Sequence, residues 1–421
     1  VAASAGAKGF SVLCTLAQVP LALRTLGTEA YGLWITLVGL TTLFNFVDFG
    51  LGVGMQRTMA EAFGRDDHAR VRRAFFSGAA ALSVLGVLAL ALGLPLALLR
   101  PWGDTLNITE PALLPQTGPA LALALGAWAL ALPSNAVARL AAAVQRGWLH
   151  AGWIAAGSAL SLATTAWAAH AGWGFLPFLA AATLVPAVQG LGLTLHLWRS
   201  LGWPWRGAAL LPKEELRALL GTSALFTPAQ LGLALVQALP PVALTLAAGP
   251  AAATAFNLLQ RLFSPFTQAQ MILFTPLWPA LAEAHTRGDD AWVRRAGTRA
   301  LLATVGLAAA LVAVTFAAPT LLHWWVGAST PPPPAALAWL ACLWAGLQMA
   351  ILAFTYFLVA LGRLRAVAVH ATLGCTLGCV GLFAAAPAGP TAALLAGCCG
   401  LIAAIPGLFA ATHGAWPRPA P

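Results

Sequence analysis

The sequence predicts an all-α polytopic membrane protein of about 12 transmembrane helices, arranged as two parallel six-helix bundles. Three observations predict it. Hydrophobic residues fill 60% of the 421 positions and charged residues only 8%, where soluble domains carry about a quarter charged residues. Apolar runs long enough to cross a hydrocarbon core of roughly 30 Å, which takes about 20 helical residues, recur along the whole chain. Finally, "AEAFGRDDHARVRRA", starting at Ala60, returns as "AEAHTRGDDAWVRRA" at Ala282.

The apolar runs place the spans at 2 to 25, 31 to 56, 74 to 99, 118 to 146, 151 to 170, 175 to 198, 219 to 247, 251 to 278, 298 to 318, 335 to 361, 366 to 386 and 391 to 412. Long Leu/Ala runs replace the strictly alternating ten-residue segments of a transmembrane barrel. The basic residues gather in alternate loops. Arg57, Arg65, Arg70, Arg72 and Arg73 follow the second span, Arg199, Arg206, Lys213 and Arg217 the sixth, and Arg287, Arg294, Arg295 and Arg299 the eighth. Cytoplasmic loops collect Lys and Arg, so both termini are expected in the cytoplasm. Trp102, Trp173, Trp324 and Trp325 on one side, and Trp148, Trp198, Trp203 and Trp205 on the other, stand where an aromatic belt belongs.

The two charged stretches lie 222 residues apart, and the same offset carries Gly27 onto Gly249 and Leu37 onto Leu259 without a gap. Residues 27 to 74 share sixteen identities with their counterparts in forty-eight positions. Six spans separate the copies. An even number preserves orientation, so the halves are expected to be related by a pseudo-twofold axis along the membrane normal. The repeated charged stretch is then the cytoplasmic loop after the second helix of each half, first of all a solvated hairpin that fixes topology. The domains are expected at 1–199 and 219–421, joined over 200–218 by a cytoplasmic linker with a short amphipathic segment along the membrane surface.

Several function classes are set aside. The net charge of +10 is spread over loops rather than concentrated in a patch interleaved with aromatics, which argues against nucleic acid. No nucleotide-binding loop, metal-ligand spacing or Ser/His/Asp grouping appears, so no enzyme and no metal are expected. The six cysteines lie inside spans, where a thiol is a small apolar filler. The first span lacks the short h-region and cleavage site of a signal peptide, and "NIT" at Asn107 matches a glycosylation sequon. Doubled bundles with little extramembrane mass suit a secondary transporter with a site near the midplane.

The segment "VPLALRTLGTEAYGLWITLVGLTTLFNFVDFGLGVGMQRTMAEAFGRDD", Val19 to Asp67, resembles the opening of bacterial polysaccharide-biosynthesis membrane proteins. These are the O-antigen-type flippases of the multidrug/oligosaccharidyl-lipid/polysaccharide (MOP) exporter superfamily, whose fold is shared with the MATE multidrug transporters. "LGTEAYGLW" and "DFGLG" carry the likeness, and "GPAAATAFNLLQRLFSPF" resembles the start of the second half. The resemblance covers about half of the chain and fades beyond the ninth span. It implies a flippase of the bacterial cytoplasmic membrane that moves undecaprenyl-pyrophosphate-linked oligosaccharide between leaflets by alternating access. Membrane lipids, a polysaccharide polymerase and chain-length machinery are the implied partners. The chain departs from some relatives in starting close to its first helix and in having twelve spans where they have fourteen. A MATE-type cation antiporter is the alternative.

Ionisable side chains in the hydrocarbon region cost about 2.5–3.5 kcal/mol on insertion scales, so each one points to a cavity or a partner. Arg261 lies ten residues into the eighth span, and Pro265 four residues on has no N–H for the Arg261 carbonyl, so a kinked, locally broken helix is expected there. A guanidinium beside freed backbone suits a pyrophosphate, which Arg grips through paired hydrogen bonds. Arg24, Arg139 and Lys8 are candidates for a cationic track, with snorkelling to the interface as the plain alternative. Asn257, Gln260, Gln268 and Gln270 are candidates for sugar hydroxyls, or else interhelical hydrogen-bonding residues. Asp48, roughly 12 Å deep in the second span, is the candidate for H+ or Na+ coupling, with a structural ion pair or cap as its alternative; no other cofactor is expected. Pro20, Pro228, Pro240 and Pro241 mark expected bends.

Overall fold

The computed structural model describes residues 2–44, 51–202, 210–212, 227–327 and 330–415. Asp48, Trp203, Trp205 and most of the 200–218 linker lie outside the described residues. Among those described, every regular element is a helix. Ala2–Phe44 (α1), Leu51–Phe63 (α2), His68–Leu99 (α3), the single turn Trp102–Thr105 (α4), Leu114–Ala143 (α5), Gly147–His170 (α6) and Phe175–Leu201 (α7) come first. Thr227–Ala248 (α8), Pro250–Thr286 (α9), Asp290–Val326 (α10), Ala335–Ala360 (α11), Leu364–Ala384 (α12), Pro390–Ile402 (α13) and Ile405–Ala415 (α14) follow. The chain divides into two compact units, Val1–Thr227 and Pro228–Pro421. Eight of the described helices are long and apolar enough to cross a membrane, and the protein is a polytopic membrane protein.

The first unit packs α3 on α5, α5 on α7, and α6 on both α1 and α7. Its core joins Met55, Met59, Phe75, Trp128 and Leu132. In the second unit α9 packs on α10 and α11, α12 pairs with α13, and α11 reaches both α13 and α14. The α12–α13 seam is close because glycines form it: a Cβ on Gly400 would collide with the backbone of Leu377 and Gly378. Small residues that let backbones approach are the usual means of helix association in lipid.

The repeat is a conformational one as well. Gly27 breaks α1 at φ 81°, ψ 176°, and Gly249 starts α9 at φ 84°, ψ 173°. This region is open almost solely to glycine. In the repeated loop, Asp66 (φ 57°) matches Gly288 (φ 75°), and each is followed by an aspartate that caps the next helix. The Asp67 carboxylate accepts from the Arg70 N–H at 2.9 Å, and that of Asp289 from the Trp292 N–H at 3.0 Å. The loop's glutamate pairs within its own helix in both copies, Glu61 with Arg57 at 2.8 Å and Glu283 with Arg287 at 2.6 Å.

Several expectations need correction. The first two spans are separated by a kink rather than a loop: the non-helical backbone of Gly27 ends the first helical stretch, and the second runs on from it to Phe44. The eighth and ninth spans, expected at 251–278 and 298–318, are each 37-residue helices, about 55 Å long at 1.5 Å per residue; the Asp289 cap starts the second of them well ahead of its apolar run. The last span is broken after Ile402, where Pro406 leaves the Ile402 carbonyl without its helical donor. Helix α9 is not broken at Pro265. The Ser264 hydroxyl donates to the Arg261 carbonyl at 2.9 Å and replaces the N–H that proline lacks. Trp198 does not sit in an interfacial belt: it is 6% exposed and lies edge-on to Phe76 with ring centroids 5.3 Å apart. Of the linker's described residues, Gly202, Leu210 and Pro212 are exposed, whereas Leu211 joins the core of the first unit and its N–H donates to Ser77 Oγ at 2.7 Å.

Candidate binding cavity in the second unit

Helix α9 is the least oily of the long helices, and the reason is a polar stripe. Asn257, Gln260, Arg261, Ser264, Thr267 and Gln268 recur at spacings of three and four residues, so they share one face of the helix. That face opens on a cavity of about 450 Å³. The opposite walls are Val236 and Gln237 from α8, and Trp344, Gln348 and Met349 from α11, with Cys375 of α12 and Leu401 of α13 at the far side. The volume is that of a small-molecule site.

Arg261 is half-buried, and its guanidinium makes no hydrogen bond or ion pair among the described residues. No carboxylate stands among the described residues that line the cavity. A fixed positive charge in partly dehydrated surroundings attracts an anion more strongly than it does in water. Around it are amides, which both donate and accept, and hydroxyls. Gln270 at the base is fully buried. Its Nε2 donates to the Met349 carbonyl at 2.8 Å and to Thr304 Oγ1 at 3.3 Å, tying α9 to α11 and α10, while its Oε1 has no partner.

The structure therefore brings together Asn257, Gln260, Arg261, Gln268 and Gln270 in one cavity. Lys8, Arg24 and Arg139 belong to the first unit. Lys8 and Arg24 are both exposed on α1, but sixteen residues at 100° each set them about 160° apart around the helix, so they do not form one stripe. Arg139 is half-buried and donates from Nη1 to Gln56 Oε1 at 3.2 Å, joining α5 to α2. Gln237, Gln348 and Trp344 were not singled out in the sequence. Gln348 carried a signal all the same, as the one amide or charged side chain between Pro334 and Thr355 in an otherwise apolar run.

No family model and no curated protein matches the sequence. Solved structures do. The inward-facing conformation of a multidrug resistance MATE family transporter of the MOP superfamily matches over 96% of this chain and 93% of its own, with a TM-score of 0.75 and 14% identity. The lipid II flippase MurJ, in an inward closed conformation, matches over 98% of this chain and 88% of its own, at a TM-score of 0.73 and 10% identity. A MOP superfamily transporter from Pyrococcus furiosus, described as having a binding pocket of reverse polarity, matches over 97% of this chain and 96% of its own, at 0.61 and 14%. At such identities the likeness is one of fold, and the chain has the MOP exporter fold.

Proposed function

We propose that this protein is a flippase for a prenyl-pyrophosphate-linked oligosaccharide, working by alternating access in a bacterial cytoplasmic membrane during cell-surface polysaccharide synthesis. One observation carries the reading: the Arg261 guanidinium faces no protein counterion among the described residues, in an amide-rich cavity whose described lining holds no acid. An anionic, hydroxyl-bearing head group meets both features. Likeness in fold to a lipid II flippase supports a lipid-linked substrate. In this reading both termini are cytoplasmic, Asp48 serves H+ or Na+ coupling, and a polymerase with its chain-length machinery receives the product. The membrane potential is an alternative drive, since one charge crossing 100 mV gains about 2.3 kcal/mol.

The test is complementation of a strain lacking its own flippase. Arg261→Ala, present at normal levels in the membrane, abolishes surface-polysaccharide display; display that survives both Arg261→Ala and Asp48→Ala overturns the assignment. A second reading, a multidrug cation antiporter, is supported by likeness in fold to a MATE transporter. Vesicles that move cationic dyes against a proton gradient, and leave prenyl-pyrophosphate sugars in place, would decide for it. Arg261, the one cation among the described lining residues, weighs against it.

A further inference from the structure

The cavity of the second unit is unbalanced in what it offers a ligand. Ser264 Oγ donates to the Arg261 carbonyl at 2.9 Å, and Thr267 Oγ1 to the Ser264 carbonyl at 3.0 Å. A hydroxyl has one hydrogen, so both present only lone pairs to a guest. Gln270 reaches the same condition by another route, with Nε2 committed to Met349 and Thr304 and Oε1 left over. Ionised phosphate oxygens accept and do not donate, so these three acceptors do nothing for them. They call for O–H or N–H groups. An organic cation also brings N–H donors, but Arg261 in the same cavity repels it. What remains is a guest with one anionic group and several neutral donors.

The wall facing Arg261's helix suits the neutral part. Trp344 and Gln348 lie four residues apart on one face of α11, and Gln237 reaches the cavity from α8. Gln237 is exposed and Gln348 half-buried, so both amides are accessible. Trp344 is 1% exposed, and its indole N–H, like Gln270 Oε1, is buried without a partner. Those two atoms are shielded from water although both residues line the cavity. A buried donor and a buried acceptor left over in one cavity favour a guest that supplies both complements.

We infer that Gln237, Gln348 and Trp344 form a sugar subsite beside Arg261, which grips the phosphate, and that these three residues decide which glycosyl head group the protein accepts. The inference rests on the flippase reading and adds the residues that choose the sugar. A cavity of about 450 Å³ takes the phosphate-proximal part of the substrate and leaves the rest of the oligosaccharide outside.

Calorimetry on the purified full-length protein tests it with three probes: inorganic phosphate, an N-acetylhexosamine 1-phosphate and the free N-acetylhexosamine. The sugar phosphate is expected to bind about tenfold more tightly than phosphate, because a site built for hydroxyls discriminates against a ligand without them. Gln348→Leu and Trp344→Phe each reduce that ratio by about threefold or more and leave phosphate affinity unchanged, whereas Arg261→Gln weakens both phosphate probes. Gln237→Leu, at an exposed position, gives the same reading should a buried variant fail to fold. A wild-type ratio near one, or a ratio that all three variants leave intact, overturns the subsite while the flippase reading stands. Absence of binding by either phosphate probe overturns both.

Discussion

The two copies of the repeat agree at their turns and differ in the membrane. Gly27 and Gly249 share one backbone conformation, and Asp67 and Asp289 cap their helices through the same bond. In the sequence between these points, however, Gly39 of the first copy corresponds to Arg261 of the second, and Asp48 to Gln270. The turns are kept because a chain reversal with few donors and acceptors to spare has few solutions. The interior is free to change because a helix tolerates many side chains on a face that opens on a cavity. The difference teaches where to look: in a doubled transporter fold, candidate chemistry lies where the halves disagree.

The largest effect is expected between the arginines. Arg261→Gln, which leaves an anionic substrate without its cation, lowers transport by about a hundredfold. Arg139→Gln, in the first unit and already bound to Gln56, costs about threefold or less; equal losses would erase the distinction between the units. Next come the turn glycines. Gly27→Ala and Gly249→Ala put a Cβ into a conformation that costs about 1–3 kcal/mol, and thermal melts should show comparable losses for both. Asp67→Ala and Asp289→Ala remove a cap and cost about 1 kcal/mol each, with Asn restoring much of it; unequal losses would show that one copy of the loop has taken on another task. The smallest effect belongs to the glutamates. A hydrogen bond and charge from Arg57 hold the Glu61 carboxyl below its ordinary 4.5. Its contribution is therefore present above that value and fades as pH falls through the lowered one. Glu61→Gln should lower the melting temperature slightly at pH 7, by an amount that shrinks as pH falls through the lowered value and vanishes once the carboxyl is protonated. Glu283 precedes its arginine, the better order on a helix, so Glu283→Gln should cost somewhat more.

Apolar length made the membrane class and the helix positions legible, and the repeat was legible because charge is rare enough here for a charged stretch to stand out. Helix ends were less so, since an aspartate cap extends a helix past the apolar run that announces it. Pro265 alone points to a break because proline orphans the carbonyl four residues back, but its neighbour supplies the missing donor. In "FSPF" the preceding serine can donate back three residues, and it does. The place of Trp198 near a span's end points to the interface, but α3 presents Phe75 and Phe76 to it, and no local pattern reveals a partner more than a hundred residues away. The α9 side of the cavity was visible as a polar stripe. Its far wall was not, because Gln237 and Gln348 reach it from helices whose pairing with α9 is a matter of tertiary packing.

Leu211 lies beyond Leu201, where α7 ends, yet fills the first unit's core. N-terminal domains generally fold first during synthesis, and here the first unit lacks a core side chain until translation has passed this residue. A fragment stopped at Leu201 would carry an unfilled hollow beside Ser77, so a recombinant first half needs a 3′ boundary downstream of codon 211.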